Sequence, residues 1–338
     1  MTDEPLRKPL RVALLLGGAS AERDVSIASA AQVVRALRGL GHRVDAFDTA
    51  KGRLTAVDEE RMLRASVPST PPPPVALPAV GLNLRLVEEL LGADLAFLAL
   101  HGGAGENGVV QALLDSVGLP YTGSSHLAST VSMDKDLSKR LFRAAQVPTP
   151  DWHLLRAGCE ADTVPVDGPV IVKPNTQGST IGLTLVKKPE GLPDAVRMAR
   201  MYDAEILVEQ FVPGREFVVG VLDGEALAVG EIVLHGKEIF DYEAKYQVGE
   251  ALEVFPADIS GALETDLKML AVRAHESLKL GSYSRVDFRV DDHGRIWCLE
   301  VNTLPGLTAT SLFPQSAAAA GIAFPELCER ICRLAVRA

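Results

Sequence analysis

The chain has 338 residues, with 34 Lys or Arg against 44 Asp or Glu and a formal net charge of −10. That length supports two or three domains with well-buried cores. An acidic chain with only 5% aromatic residues offers no extended basic surface for nucleic acid, so a bound phosphate would have to meet a local cluster of basic groups.

Residues 1–9 are polar and charged and lack the apolar segment of a signal peptide. No apolar run along the chain approaches the length needed to cross a bilayer, and the expectation is a cytoplasmic protein without a membrane partner. LRVALLL at 10–16 is a continuous apolar run, the pattern of a strand buried on both faces. GGASAERD follows, then SIASAAQVVRALRGLG with apolar residues at helical spacing and Gly41 at its stop. HRVDAFD at 42–48 is the next strand. This β-α-β opening predicts a doubly wound parallel sheet. Gly17 and Gly18 suit a close ligand approach, but the spacing of a dinucleotide fingerprint is absent. Glu22 and Ser26 fall at the C-terminal edge of the first strand, where open α/β sheets bind ligands. A carboxylate at a helix start also serves as a plain dipole partner.

Residues 66–78 are proline-rich and read as an extended connection without chemistry. DLAFLAL at 94–100 predicts a third buried strand, running into HGGAGENG and the helical VVQALLDSVG. His101 again ends a strand, and the glycines beside it form a backbone-lined edge. SMDKDLSKRLFRAAQ at 132–146 reads as one helix capped near Ser132, with Lys135 and Lys139 as surface lysines by default.

A second unit begins near residue 168. GPVIVKPNTQGSTIGLTLV places Lys173 at a strand end and a small-residue loop, Gly178-Ser179-Thr180-Ile181-Gly182, between two antiparallel strands. Such a flap closes backbone N–H groups over phosphates. It is not a Walker A loop, since no GK[ST] leads into a helix. PEGLPDAVRMARMYD is helical, and EILVEQFVPGREFVVGVLDG returns as strands, with Glu209 and Glu216 flanking the hinge-like Val212-Pro213-Gly214. EALAVGEIVL is a further strand. Residues 238–250 lose apolar periodicity and read as an ordered lid-like loop. GALETDLKMLAVRAHESLKLG is an amphipathic helix.

YSRVDFRVDDHGRIWCLEVN at 283–302 then forms a hairpin. A two-residue His293-Gly294 loop pairs Asp292 with Arg295 and sets Asp287 opposite Glu300. Alternation places Cys298, Glu300 and Asn302 on one face and Trp297, Leu299 and Val301 on the other. Two carboxylates, an amide and Arg285 on one face suit Mg²⁺ with phosphate; a solvated outer face is the alternative. NTLPGLTATS, directly after, can present backbone N–H groups to an anion. Two helices close the chain. Cys328 and Cys332 lie a turn apart on an apolar face as core residues, and the four cysteines fit a reducing compartment better than a disulfide framework.

In this order and spacing, GGASAERDVSIAS, HGGAGENG, YTGSS with SMDK, VKPNTQGSTIG, VEQFVPGREF, DYEAKY, SRVDF and LEVNTLPGLTATSLFP resemble the D-alanine–D-alanine ligases of the ATP-grasp superfamily across essentially the whole chain. The resemblance implies an α/β N-terminal substrate-binding domain (1–122), a central ATP-grasp lobe with the flap (123–211) and a C-terminal lobe (212–338). It implies ATP beneath Gly178, Ser179 and Thr180, with Lys135 and Lys173 on its phosphates. Glu209, Phe211 and Val212 match the adenine segment, and Glu216 the ribose ligand. Asp287, Glu300 and Asn302 match the ligands of two Mg²⁺ ions, with Mn²⁺ as a substitute. Glu22 matches the carboxylate that holds the first D-alanine, with Ser179 and Tyr246 as its hydrogen-bonded partners. Arg285 and the Gly306 N–H match the oxyanion donors. Ser311 and Leu312 match the second-substrate pocket, Lys245 is a substrate-side residue beside Tyr246 in the loop, and His101 lies near the first D-alanine. The implied reaction makes D-alanyl-D-alanine for peptidoglycan precursors through an acyl phosphate, in a homodimer. The rival readings are D-alanine–D-lactate or D-alanine–D-serine ligation, a nucleotide sensor without catalysis and, on the β-α-β opening alone, a dinucleotide oxidoreductase.

Overall fold

The computed structural model describes residues 8–20, 22–63, 84–159, 164, 167–236, 238–240 and 251–337. The proline-rich stretch 66–78, Lys245 and Tyr246 lie outside the described residues.

The apolar run at the start becomes β1 (Arg11–Leu16), followed by α1 (Arg23–Gly39) and β2 (Arg43–Asp48). Gly41 ends the helix region with a φ of +90°, a conformation that favours glycine. A short β3 (Gly52–Arg53), α2 (Ala56–Met62) and α3 (Leu84–Leu90) lead to β4 (Leu95–Leu98) and α4 (Val109–Ser116). The sheet order is β3-β2-β1-β4, with β1 parallel to both β2 and β4 and β3 an antiparallel edge. The doubly wound parallel sheet is therefore present. β1 beyond Arg11 and all of β4 are buried, as a continuous apolar run implies.

The stretch 132–146 is not one helix. It is α5 (His126–Met133) and α6 (Lys135–Ala144), broken at Asp134, whose extended backbone ends the first. The Asp134 carboxylate caps the second helix by accepting from the Leu137 N–H at 3.0 Å. Beyond it come β5 (Trp152–Leu155), β6 (Val170–Pro174), β7 (Thr184–Val186), α7 (Leu192–Ala199) and β8 (Ile206–Gln210). They form an antiparallel sheet of order β5-β8-β6-β7, with the flap joining β6 to β7.

From β8 the chain crosses at Val212-Pro213-Gly214 into a second antiparallel sheet. It contains β9 (Arg215–Leu222), β10 (Glu225–Leu234), β11 (Ala251–Val254), β12 (Tyr283–Val290) and β13 (Ile296–Asn302), in the order β11-β10-β9-β12-β13. α8 (Gly261–Ser277) packs on this sheet. α9 (Leu312–Ala319) and α10 (Phe324–Arg337) follow. α10 buries Leu327, Cys328, Ile331 and Cys332 in the same core as Val12, Leu14 and Leu15 of the first sheet. Each such aliphatic side chain contributes roughly 1.5–3 kcal/mol of transfer free energy. Burial also pushes the Cys328 thiol up to about 12, so it behaves as a small apolar group, as its helical position implied.

The hairpin β12–β13 differs from the sequence reading in an instructive way. Asp291 pairs with Arg295 through a 3.0 Å backbone bond, so the loop has three residues, Asp292-His293-Gly294, rather than two. Between Phe288 and Asp287 the register shifts by one, with Leu299 as the extra residue. The bulge restores the pairing of Asp287 with Glu300 that the shorter loop would have produced. It also reverses the faces near the turn. Cys298 is fully buried beside Phe288 and Val301 in the core, not on the polar face.

Candidate active site

Two cavities meet at the polar face of that hairpin. The first lies between the two antiparallel sheets, walled by Lys135, Lys173, Glu209, Phe211, Val212 and Glu216, with Gly178 and Thr180 of the flap above. Asp287, Leu299 and Glu300 form its inner wall. The bulge allows Leu299 and Glu300 to border the same cavity although they are adjacent in sequence.

Both lysines of α6 near this wall are buried, which corrects the surface reading of that helix. Lys135 and Lys139, one turn apart on α6, are 7% and 0% exposed. The Lys135 ammonium donates at 2.6 Å to the Gln177 carbonyl and sits 3.3 Å from Glu300 Oε2. Lys173 lies 3.0 Å from Glu209 Oε1, and Lys139 lies 2.6 Å from Oε2 of the same carboxylate. The Lys139 contact is a close ion pair without hydrogen-bond alignment at Oε2; Lys139 donates instead to the Thr149 hydroxyl at 2.6 Å. Burial alone would raise the Glu209 carboxyl, but Lys139 and Lys173 outweigh it and hold Glu209 below its usual range. Burial in turn lowers the Lys139 ammonium, with Glu209 opposing.

At the hairpin, Arg285 makes a two-point contact with Asp287 at 2.7 and 2.8 Å, and the Asn302 amide donates to Asp287 at 3.1 Å. Asp287 and Glu300 face each other across the ladder, with Asn302 opposite Arg285. Two carboxylates and a carboxamide form the oxygen donor set that Mg²⁺ takes, so the residues present fit that ion.

The second cavity lies between the first sheet and the 302–312 segment. It is lined by Glu22, His101, Ser179, Arg285, Gly306, Ser311 and Leu312, and shares Gly178 with the first. Glu22 precedes α1 at the end of β1 and accepts a short hydrogen bond from the Ser179 hydroxyl of the flap. Gly102 makes room for it, because a Cβ there would come within 2.5 Å of Glu22 Oε2. His101 Nε2 lies 3.0 Å from the Ser29 hydroxyl, which also accepts from the Leu307 N–H at 3.1 Å. Burial pushes His101 down to about 4, although a ring N–H reaches the Leu304 carbonyl. It is therefore a neutral brace under the Gly306 loop. Gly306 lies against the Ser311 hydroxyl, where a Cβ would stand at 2.8 Å.

The Gly17-Gly18 edge holds side chains of the chain itself. Gly18 N–H points at Asp48 Oδ1 at 3.3 Å, and Arg23 pairs with Asp48 at 2.5 Å. A Cβ at Gly17 would meet both of those side chains. Ser26, completely buried, accepts from the Gly17 N–H at 2.7 Å and donates to the Ala99 carbonyl at 2.6 Å. The dinucleotide reading and a ligand role for Ser26 are set aside on these contacts.

The D-ala D-ala ligase N-terminus family model matches residues 11–124, and the D-ala D-ala ligase C-terminus model matches 141–333. The chain is 41% identical over 327 residues to a D-alanine–D-alanine ligase of Gloeobacter violaceus, covering 95% of this chain and 98% of that one. The chain belongs to the D-alanine–D-alanine ligase family. A ligase from Geobacter sulfurreducens is likewise 41% identical, over 98% of this chain and 95% of that one. The crystal structure of a Bacillus anthracis ligase complexed with ATP superimposes with a TM-score of 0.76 at 29% identity, covering 97% of this chain and 98% of that one. The fold is that of D-alanine–D-alanine ligases, an ATP-grasp fold, and the chain is an enzyme of that kind.

Within this ligase family fold, the nucleotide-side residues named from sequence all border the first cavity except Ser179 and Asn302, which border the second. The described substrate-side residues all border the second. Sequence reasoning missed Glu106, Lys139, Glu253 and Arg289. Glu106 stands within HGGAGENG, Lys139 one turn beyond Lys135, and Arg289 on the alternating face of Arg285 and Asp287, so these three had a positional signal; Glu253 had none. Among the described residues no helix is long and apolar enough to cross a membrane.

Proposed function

We propose that the two cavities carry ATP and two D-alanine molecules, and that the chain ligates them to D-alanyl-D-alanine with release of ADP and phosphate. The single observation that supports this most is the hairpin face at which the cavities meet. Lys135, Asp287 and Glu300 stand on the phosphate side, and Arg285 and Asn302 on the amino-acid side. A D-alanine carboxylate at that junction can attack the γ-phosphoryl group in line, giving D-alanyl phosphate and ADP. The unprotonated amine of a second D-alanine then attacks the activated carbonyl, loses its proton and expels phosphate.

In this reading Lys135, Lys173 and the Gly178–Thr180 backbone hold the phosphates. Glu209, Phe211 and Val212 take the adenine, and Glu216 the ribose. Glu22, oriented by Ser179, holds the first ammonium; Arg285 and the Gly306 N–H receive the oxyanion; and Ser311 with Leu312 accept the second substrate. Asp287, Glu300 and Asn302 would hold Mg²⁺, or Mn²⁺ in its place, whose charge offsets that of the transferring phosphoryl group. By resemblance Tyr246 joins Ser179 as a hydrogen-bonded partner of Glu22, and Lys245 lies beside it on the substrate side. The units 1–122, 123–211 and 212–338, a homodimeric assembly, a cytoplasmic location, a role in peptidoglycan precursor supply and the absence of nucleic-acid or membrane partners belong to the same reading.

The test is phosphate release by purified protein with ATP and Mg²⁺. Release dependent on D-alanine, with the dipeptide as product, is the expected result. Silence with D-alanine, or faster formation of D-alanyl-D-lactate at neutral pH, overturns it.

A further inference from the structure

Arg289 is a buried cation that none of the roles above uses. It lies on β12 two residues beyond Asp287, is 7% exposed and borders the nucleotide cavity. The strand register sets it opposite Glu216 on β9. Its Nη2 lies 3.0 Å from Glu216 Oε2 and donates at 2.6 Å to the Glu238 carbonyl. Its Nη1 reaches the carbonyls of Val212 and Gly214 at 3.4 and 3.3 Å. The guanidinium carbon stands 5.6 Å from the centre of the Phe211 ring. One planar fork thus ties a carboxylate, both ends of the crossing between the two sheets and the residue that opens the 238–240 segment.

Lysine has the charge but not the fork, and cannot serve these partners at once. A neutral side chain would remove the charge facing the Glu216 carboxylate and the donors to the crossing together. A plain buried ion pair would account for the charge alone. The carbonyls come from the segment that also supplies Phe211 and Val212 to the cavity wall, so Arg289 grips the nucleotide wall at three places rather than one.

We propose that Arg289 is a positioning residue for nucleotide recognition, fixing the Glu216 carboxylate toward the ribose hydroxyls and holding the Val212–Gly214 crossing against the cavity. It thereby makes selection of ribonucleotide over deoxyribonucleotide depend on an arginine that acts through Glu216. The proposal rests on the reading of Glu216 as the ribose ligand.

The experiment compares the parent with R289K, R289M and E216Q, using ATP, 2′-deoxy-ATP and 3′-deoxy-ATP, with thermal melts to establish folding. The expected result is a rise in KM for ATP of about 5-fold in R289K and 20-fold or more in R289M. The preference for ATP over the deoxy nucleotides should shrink toward unity, while KM for D-alanine at saturating ATP stays within twofold. A general structural role would move the three nucleotides together and keep their ratio, which overturns the proposal. E216Q losing the preference while folded R289K and R289M keep it overturns the proposal alone. E216Q keeping the preference removes the ribose assignment beneath it. If neither arginine variant yields folded protein, Arg289 belongs to the fold and the proposal fails.

Discussion

Single residues in the substrate cavity are tuned by burial more than by their partners. Glu106 is buried beside Glu22 and accepts the Gly102 N–H at 2.6 Å. Burial first, then the nearby Glu22 carboxylate, pushes its carboxyl up to about 8. At neutral pH it is protonated, so the cavity does not place two adjacent anions under one ammonium group. Because its pKa is raised on folding, the stability it contributes is fully present below the unfolded value of 4.5 and is lost as pH rises through about 8. Glu106→Gln copies the neutral form and does not titrate. Urea midpoints of this variant and the parent should agree at pH 4 and diverge in the variant's favour as pH rises to 8.5. Parallel curves across that range would show that Glu106 is ionised throughout.

At the scale of elements, the break between α5 and α6 aims Lys135. Asp134 caps α6 through the Leu137 N–H and also accepts from the Asn175 amide at 3.0 Å, joining the helix start to the strand end that carries Lys173. Asp134→Ala removes both bonds, and the loss should be about 1–2 kcal/mol. Since Lys135 follows directly, KM for ATP should rise several-fold while KM for D-alanine holds; urea titration and steady-state kinetics read the two effects separately. An unchanged KM for ATP would mean that Lys135 is placed without this cap. The break was not legible because SMDKDLSKRLF keeps a helical pattern through it, and only φ and ψ at Asp134 reveal the stop. The hairpin shows a related limit. Strand alternation identified β12 and β13, yet the loop length was wrong and a bulge at Leu299 compensated for it. The Asp287–Glu300 pairing was thus reached through a register that the chain does not use near the turn. Periodicity reports faces well where ladders are regular and fails at an inserted residue.

Over the whole molecule, the parallel sheet was legible because its strands are apolar on both faces, and the motif order placed the site residues around two cavities. The pairings of Arg289 with Glu216 and Lys139 with Glu209 were not, since each joins residues more than 60 positions apart through tertiary packing. The same packing gives the molecule opposed pH responses. His101 braces the first sheet against the 303–307 segment, and His275 joins α8 to β12 through the Ser284 hydroxyl at 2.8 Å. Burial is the largest cause in both and pushes each from 6.5 down to about 4. A depressed histidine contributes stability that is present above its unfolded value and lost as pH falls toward the folded one. Two and a half units correspond to about 3 kcal/mol for each histidine at most. Glu106 acts in the other direction, gaining stability as pH falls from about 8. Glu209 and Asp48, held below their usual values, give way only at lower pH. Stability should therefore peak near pH 6.5, with one carboxyl setting the alkaline decline and two histidines outweighing it on the acid side. His275→Asn, which does not titrate, should remove more than half of the parent's fall in urea midpoint between pH 6.5 and 4, because Glu106 offsets part of the two histidines' combined loss. An identical acid decline in parent and variant would show that His275 is protonated in the folded protein.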